Sequence, residues 1–244
     1  MNKDKNYNER QTNDLSVLVS MSSWNRKMVD SLSSKTKCKF IQISDPKDLT
    51  YQKLATINPR FLFFPHWSHR IDSSIYEQFE CVIFHMTDLP FGRGGSPLQN
   101  LISRGIYETK ITALRCVEEM DAGPIYLKTP LSLYGTAEEI YIRASSIIED
   151  MIIELLDKQP LPIKQQGEPI VFKRRKPEES DLSSAKSLEE VFDKIRMLDA
   201  DGYPHAVIHI GQLKIEFTRA SMKTCDILAD ARISFTEDFK DLNT

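Results

Sequence analysis

Glycine is scarce in this chain, at 9 of 244 residues, and three of the nine fall within four positions, at Gly92, Gly94 and Gly95. The turn after the first apolar run, Ser20-Met21-Ser22-Ser23, has none. It therefore lacks the glycine fingerprint of a dinucleotide site, and a nicotinamide or flavin cofactor is not expected. Cysteine is also rare: Cys38, Cys81, Cys116 and Cys225 are widely spaced, without metal-type pairing. Three of them lie in or beside apolar runs, so they read as reduced core thiols of a cytoplasmic protein. No apolar run approaches the length of a membrane span and no signal-like segment opens the chain, so no membrane partner is expected. Neither charge dominates: 32 Lys and Arg against 35 Asp and Glu leave a net charge of −3. Without a global basic field, nucleic acid is not the expected main partner.

Apolar residues make up 41% and charged residues 27%, ordinary for a globular protein. The length allows one large domain with a small appendage. Residues 1–14 are polar and read as a loose tail. Apolar runs at 15–20, 40–43, 60–64 and 81–85 read as strands, with helices expected at 24–32, 45–54 and 72–79. This alternation predicts an α/β fold with a mainly parallel, Rossmann-like sheet covered on both faces. After a Gly- and Pro-rich loop at 87–97 come a helix around 98–104 and a strand at 109–115. A further strand or bent pair is expected at 124–128 and 131–133. Residues 136–156 give the clearest helical pattern, with Thr136 as its cap. Residues 158–180 read as a linker, and 181–244 as a small strand-rich C-terminal subdomain beginning with a helix at 187–198. Residues 15–157 would then form the main domain.

The chain is organised around Cys81 to Gly123. His85 sits where an apolar strand gives way to a loop, and Asp121 sits in an acid-rich loop that could face it. Sites in open α/β sheets lie beyond the carboxyl ends of the strands. A strand-end histidine and a loop acid are ordinary structural residues taken singly. As a pair they suit a general base or acid, with Asp121 fixing the tautomer and stabilising the imidazolium.

The material between them carries more information. His85-Met86-Thr87-Asp88-Leu89-Pro90-Phe91-Gly92-Arg93-Gly94-Gly95-Ser96-Pro97 resembles the strand-to-loop signature of the folate-dependent formyltransferases. Gly105-Ile106-Tyr107-Glu108-Thr109-Lys110-Ile111-Thr112 and Glu119-Met120-Asp121-Ala122-Gly123 resemble the two segments that follow it in that family. The resemblance covers most of residues 60–220. It implies 10-formyltetrahydrofolate as formyl donor, with no metal, and His85 and Asp121 as the catalytic pair. It also implies a folate pocket lined by His69, Arg70 and Ile71, by Thr87, Asp88, Leu89 and Pro90, and by Val117, Glu118, Glu119 and Met120. Leu89 and Met120 would cover the pterin faces.

One position departs from the pattern. The family's asparagine two residues before the histidine falls at Ile83, which cannot donate a hydrogen bond to a developing oxyanion. His66, His69 or Asn100 are the candidate replacements, with His66 or His69 favoured, or else a bound water. His66 and Arg93 are further expected on the acceptor side, with the basic run Lys173, Arg174 and Arg175, whose guanidinium forks suit phosphate. That run could equally be a solvated turn.

The chemistry implied is attack of an amine on the formyl carbon, with His85 shuttling the proton. The motif details look like the branch that formylates nucleotide-linked, UDP-type 4-amino sugars, as in pseudaminic-acid-type surface glycan synthesis. Shortness and slight acidity support that expectation over methionyl-tRNA, the alternative acceptor. An inactive folate- or nucleotide-sugar-binding module is a third reading. Oligomeric state, a homodimer included, is not fixed by the sequence.

Overall fold

The computed structural model describes residues 14–236. The tail expected at 1–14 lies almost wholly outside them. Elements run in the order β1 (Leu15–Val19), α1 (Met28–Lys35), β2 (Lys39–Ile43), α2 (Tyr51–Ile57), β3 (Leu62–Phe64), α3 (Ser73–Tyr76) and β4 (Cys81–His85). Then come β5 (Phe91–Gly94), α4 (Pro97–Ile102), β6 (Glu108–Arg115), β7 (Ile125–Ser132) and α5 (Ala137–Lys158). The chain closes with β8 (Ile170–Phe172), α6 (Leu188–Arg196), β9 (Ala206–Ile210), β10 (Leu213–Met222) and β11 (Ile227–Phe235).

These elements fall into two compact units that interleave along the chain. The first takes residues 14–94, 110–131 and 142–171, and the second 95–109, 132–141 and 172–236. In the first, a six-stranded sheet has the order β2-β1-β3-β4-β6-β7. β1 pairs in parallel with β2 and β3, β3 in parallel with β4, and β6 runs antiparallel to β4. The fold class expected from sequence is the one observed. Val17, Leu18 and Val19 are all fully buried, as are Leu62, Phe63 and Phe64. Consecutive buried residues mean that both faces of the sheet are covered, as parallel strands require. One face packs Val17, Val19, Leu62, Phe64 and Cys81 with Leu54, Ile71, Ile75 and Phe79. Short polar side chains start the covering helices. Thr50 accepts from the Lys53 N–H at the head of α2, and Asp72 from the Ser74 N–H at the head of α3.

One expectation is corrected. Residues 87–97 are more than a loop: β5 lies within them and pairs with β8 in a two-stranded sheet. Of the two arrangements expected at 124–133, residues 125–132 take the first, one strand, β7. The segment read as a linker, 158–180, carries β8 and bridges back to β7 through Ile163 and Ile125.

The second unit holds α4, α6 and the antiparallel sheet β11-β10-β9. Ser187 caps α6 by accepting from the Glu190 N–H, and α6 packs on β10. Arg196, at the end of α6, is buried with its guanidinium donating to the carbonyls of Leu133 and Gly135. Such a cation is tolerated inside because Nη1 meets those carbonyls and Nε meets the Asp193 carboxylate, although Nη2 has no acceptor. No helix among the described residues is long and apolar enough to cross a membrane.

Candidate active site

β4 delivers His85 to the carboxyl end of the parallel strands, buried at 7% exposure. Its Nε2 lies 2.7 Å from the Gly92 carbonyl oxygen. A carbonyl only accepts, so Nε2 carries the proton. Nδ1 is then the ring nitrogen with a lone pair, and it faces Asp121 Oδ2 at 3.6 Å. The gap exceeds a hydrogen bond, but it puts a carboxylate against any proton that Nδ1 takes up. Asp121 is itself fixed: its Oδ2 accepts the Gly94 N–H at 2.9 Å. Gly94 has φ +100°, a conformation that side-chain-bearing residues rarely adopt. The sequence pair His85 and Asp121 is thus brought together, with the glycines between them as its fasteners.

The loop carrying Asp121 is held by residues that sequence reasoning missed. Gln165 Nε2 donates to the carbonyls of Asp121 and Gly123, at 2.7 and 2.9 Å. Its Oε1 accepts two hydrogen bonds from Arg93, whose third arm reaches Glu119. Arg93, expected on the acceptor side, is therefore engaged in bracing this loop. Gly123 permits the close approach: a Cβ there would meet the Arg115 carbonyl oxygen at 1.8 Å. Lys128, also missed, binds Asp88 and the Leu89 carbonyl. Partial burial pushes the Asp88 carboxyl up, but Lys128 and Lys110 outweigh it and hold it below the usual carboxylate range. Neither Gln165 nor Lys128 belongs to a pattern that would flag it.

The other expected residues distribute as follows. Thr87 is buried and donates to the Gly92 carbonyl, while its own carbonyl accepts from Thr112. Asp88 and Pro90 are half-buried. Leu89 is fully buried, so it lies beneath the segment and does not cover a ligand face. Ile71 has its side chain in the core cluster. His69 and Arg70 are exposed, with the His69 ring 5.1 Å from that of Trp67. The Trp67 indole Nε1 is buried without a hydrogen-bond partner, an orphan donor in the wall next to them. Val117 is half-buried, Glu118 and Glu119 are exposed, and Met120 is 70% exposed.

Ile83 shares the strand face of His85, two residues earlier, and packs against the core, so the expected donor position is apolar. His66 places Nε2 3.2 Å from Ser145 Oγ, and burial pushes the ring down to about 4, so it is neutral at pH 7. Asn100 cannot serve as replacement. Its amide nitrogen is spent on the carbonyls of Gly95, Ser96 and Lys173, and its oxygen on Arg104.

Within the second unit, the basic run is pinned along its backbone. Asn100 holds the Lys173 carbonyl, Ser96 Oγ accepts the Arg175 N–H, and Arg175 Nη2 donates to the Glu179 carbonyl. Lys173 and Arg174 are exposed. No group of three or more His, Cys, Asp or Glu is arranged for a metal among the described residues.

A solved structure titled methionyl-tRNA formyltransferase, from Clostridium thermocellum, is 51% identical, with a TM-score of 0.88 over 91% of this chain and 99% of that one. The chain belongs to the formyltransferase family. Formyltransferases of this family draw their one-carbon unit from 10-formyltetrahydrofolate. The model of the methionyl-tRNA formyltransferase C-terminal domain matches residues 177–234. A curated formyltransferase, the methionyl-tRNA formyltransferase of Thermotoga maritima, is 26% identical over 77% of this chain and 63% of its own length. Other curated relatives are matched over about half their length. A 4-N formyltransferase from Francisella tularensis is 13% identical, with a TM-score of 0.63 over 81% of this chain and 93% of that one, and shares the fold.

Proposed function

We propose that this chain transfers a formyl group from 10-formyltetrahydrofolate to a primary amine, with His85 as the proton-transfer group. The observation that carries this reading is the arrangement of His85 between the Gly92 carbonyl and Asp121. An amine attacking a formyl carbon must lose a proton. Nδ1 of His85 takes it and returns it to the folate N10 as the bond from N10 to the formyl carbon breaks and tetrahydrofolate leaves, while Nε2–H stays on Gly92 throughout, so the ring does not rotate. Asp121, 3.6 Å from Nδ1, stabilises the imidazolium that results. Proton transfer of this kind is worth roughly 10²–10⁴-fold. The donor supplies the activated formyl carbon. The exposed Met120 side chain, the Thr87–Pro90 backbone, His69 and Arg70 would hold its pterin, and Val117 to Glu119 would flank it.

For the acceptor, the α-amine of methionyl-tRNA is the first reading. It is supported by the C-terminal domain match and by a half-identical relative of comparable length that carries the name. This displaces the sequence argument from shortness, since that relative is covered at 99%. A nucleotide-linked amino sugar, of the UDP-linked 4-amino kind, is the second reading. It is favoured by the net charge of −3 and by the exposed basic pair Lys173 and Arg174, suited to a small phosphate-bearing ligand. Incubating the protein and 10-formyltetrahydrofolate with methionyl-tRNA, or with UDP-4-amino sugars, separates the two by the mass of the acceptor recovered. Folate binding without formylation of either acceptor would instead mark a binding module.

A further inference from the structure

The family resemblance puts Thr87 in the folate pocket, yet its side chain is 0% exposed. A hydroxyl buried to that degree is costly unless it is hydrogen-bonded, so its partner shows what it serves. The partner is the Gly92 carbonyl oxygen, 3.3 Å away, the same atom that accepts Nε2–H of His85 at 2.7 Å. A carbonyl oxygen has two lone pairs, one for each of these donors. The Thr87 contact is the longer of the two, so it steers the carbonyl without displacing the ring.

Steering matters at this position. Gly92 has φ +80°, and the peptide of a glycine turns at little steric cost. With its carbonyl turned away, Nε2 loses the acceptor that makes it the protonated nitrogen, and the ring is free to take either neutral tautomer. Only the form with the proton on Nε2 leaves a lone pair on Nδ1, which faces Asp121 Oδ2 at 3.6 Å. Thr87 is anchored in its turn. Its backbone carbonyl accepts from Thr112 Oγ1 at 2.6 Å. Thr112 stands directly opposite His85 in the pairing of β6 with β4, on the same face of the sheet, and is itself fully buried. The two hydroxyls thus form a short relay around the imidazole, carried by β-branched side chains with few χ1 alternatives.

We infer that Thr87 is a positioning residue: its hydroxyl holds the Gly92 carbonyl against His85 and so fixes the tautomer through which the proton moves. The inference rests on His85 as the proton-transfer group, and its test includes a readout that needs no turnover. Ring-nitrogen NMR signals of His85 in the isotope-labelled full chain are identified by their loss in His85→Ala. The wild type and Thr87→Ser are expected to show one neutral tautomer, with the proton on Nε2. Thr87→Val keeps the shape of the side chain and leaves Gly92 with the ring as donor, and it is expected to show both tautomers. It should also lower kcat for formyl transfer by up to about 10²-fold, with folate affinity near the wild type. Thr87→Ser should recover most of that loss, and thermal melts show that both variants remain folded. Mixed tautomers in the wild type overturn the inference, as does a single Nε2–H tautomer in Thr87→Val. A Thr87→Val that weakens folate binding with kcat intact also overturns it, because the hydroxyl then serves the ligand. An inactive His85→Ala beside a fully active Thr87→Val overturns this inference alone, whereas a fully active His85→Ala overturns the role of His85 and this inference with it.

Discussion

His85 is asked to do one thing, to accept a proton at Nδ1, and its surroundings serve that task. The Gly92 carbonyl claims the other nitrogen and Asp121 waits across a 3.6 Å gap. His85→Ala is expected to lower kcat by about 10²–10⁴-fold while leaving folate affinity near the wild type, measured by single-turnover rates and fluorescence titration. Asp121→Asn keeps an acceptor for the Gly94 N–H and tolerates the left-handed backbone that Asp121 adopts at φ +55°. It removes the charge that steadies the imidazolium, so a smaller loss of kcat is expected, read from the same single-turnover rates. His66 answers a different question. Its ring is neutral in the fold, pushed down to about 4 by burial, against an ordinary value of 6.5. The unfolded chain therefore binds a proton that the folded one refuses, and stability falls as pH drops from 6.5 toward 4. The loss is at most about 3 kcal/mol. Urea denaturation across that range should show the slope in wild type and a shallower one in His66→Gln.

At the scale of elements, the site is two short loops tied together by a third segment. The clamp is Gln165, reaching the carbonyls of Asp121 and Gly123 from a stretch with little regular structure. Gln165→Leu is expected to leave the melting temperature nearly unchanged and to lower kcat, since a displacement of about 1 Å in a positioned group can cost 10²-fold. Gly123→Ala, by contrast, drives a Cβ into the Arg115 carbonyl and should destabilise the fold by roughly 1–3 kcal/mol, visible in a denaturant midpoint. The strand ending at His85 and the loop bearing Asp121 were legible, because a buried strand announces itself by its apolar run. The pairing of β5 with β8 was not. Phe91–Gly94 is half glycine, and Ile170–Phe172 is three residues long, too little for a period of two to register. Gln165 was hidden for a related reason: it acts through backbone carbonyls, which leave no residue type for its position to match. Leu89 was misplaced because a loop residue next to Pro90 gives no sign of which way it points, and the fold turns it inward.

Across the whole molecule, the open choice is the acceptor, and charge is the property that separates the readings. A chain of net charge −3 that grips tRNA must concentrate its cations locally. Binding through several phosphates loses affinity steeply with salt, by about 10³–10⁵-fold between 50 and 200 mM for six to ten contacts. If methionyl-tRNA is the acceptor, its KM should climb with salt far faster than that of a nucleotide amino sugar, which presents only a pyrophosphate. The central claim, though, is formyl transfer through His85, and one measurement reaches it directly. Carbon-labelled 10-formyltetrahydrofolate is mixed with methionyl-tRNA and with UDP-4-amino sugars, using wild type and His85→Ala, and the acceptors are weighed by mass spectrometry. The account predicts a labelled formyl group on the amine of one acceptor with the wild type and almost none with the variant. Equal labelling by both proteins, or no labelled acceptor despite bound folate, would contradict it.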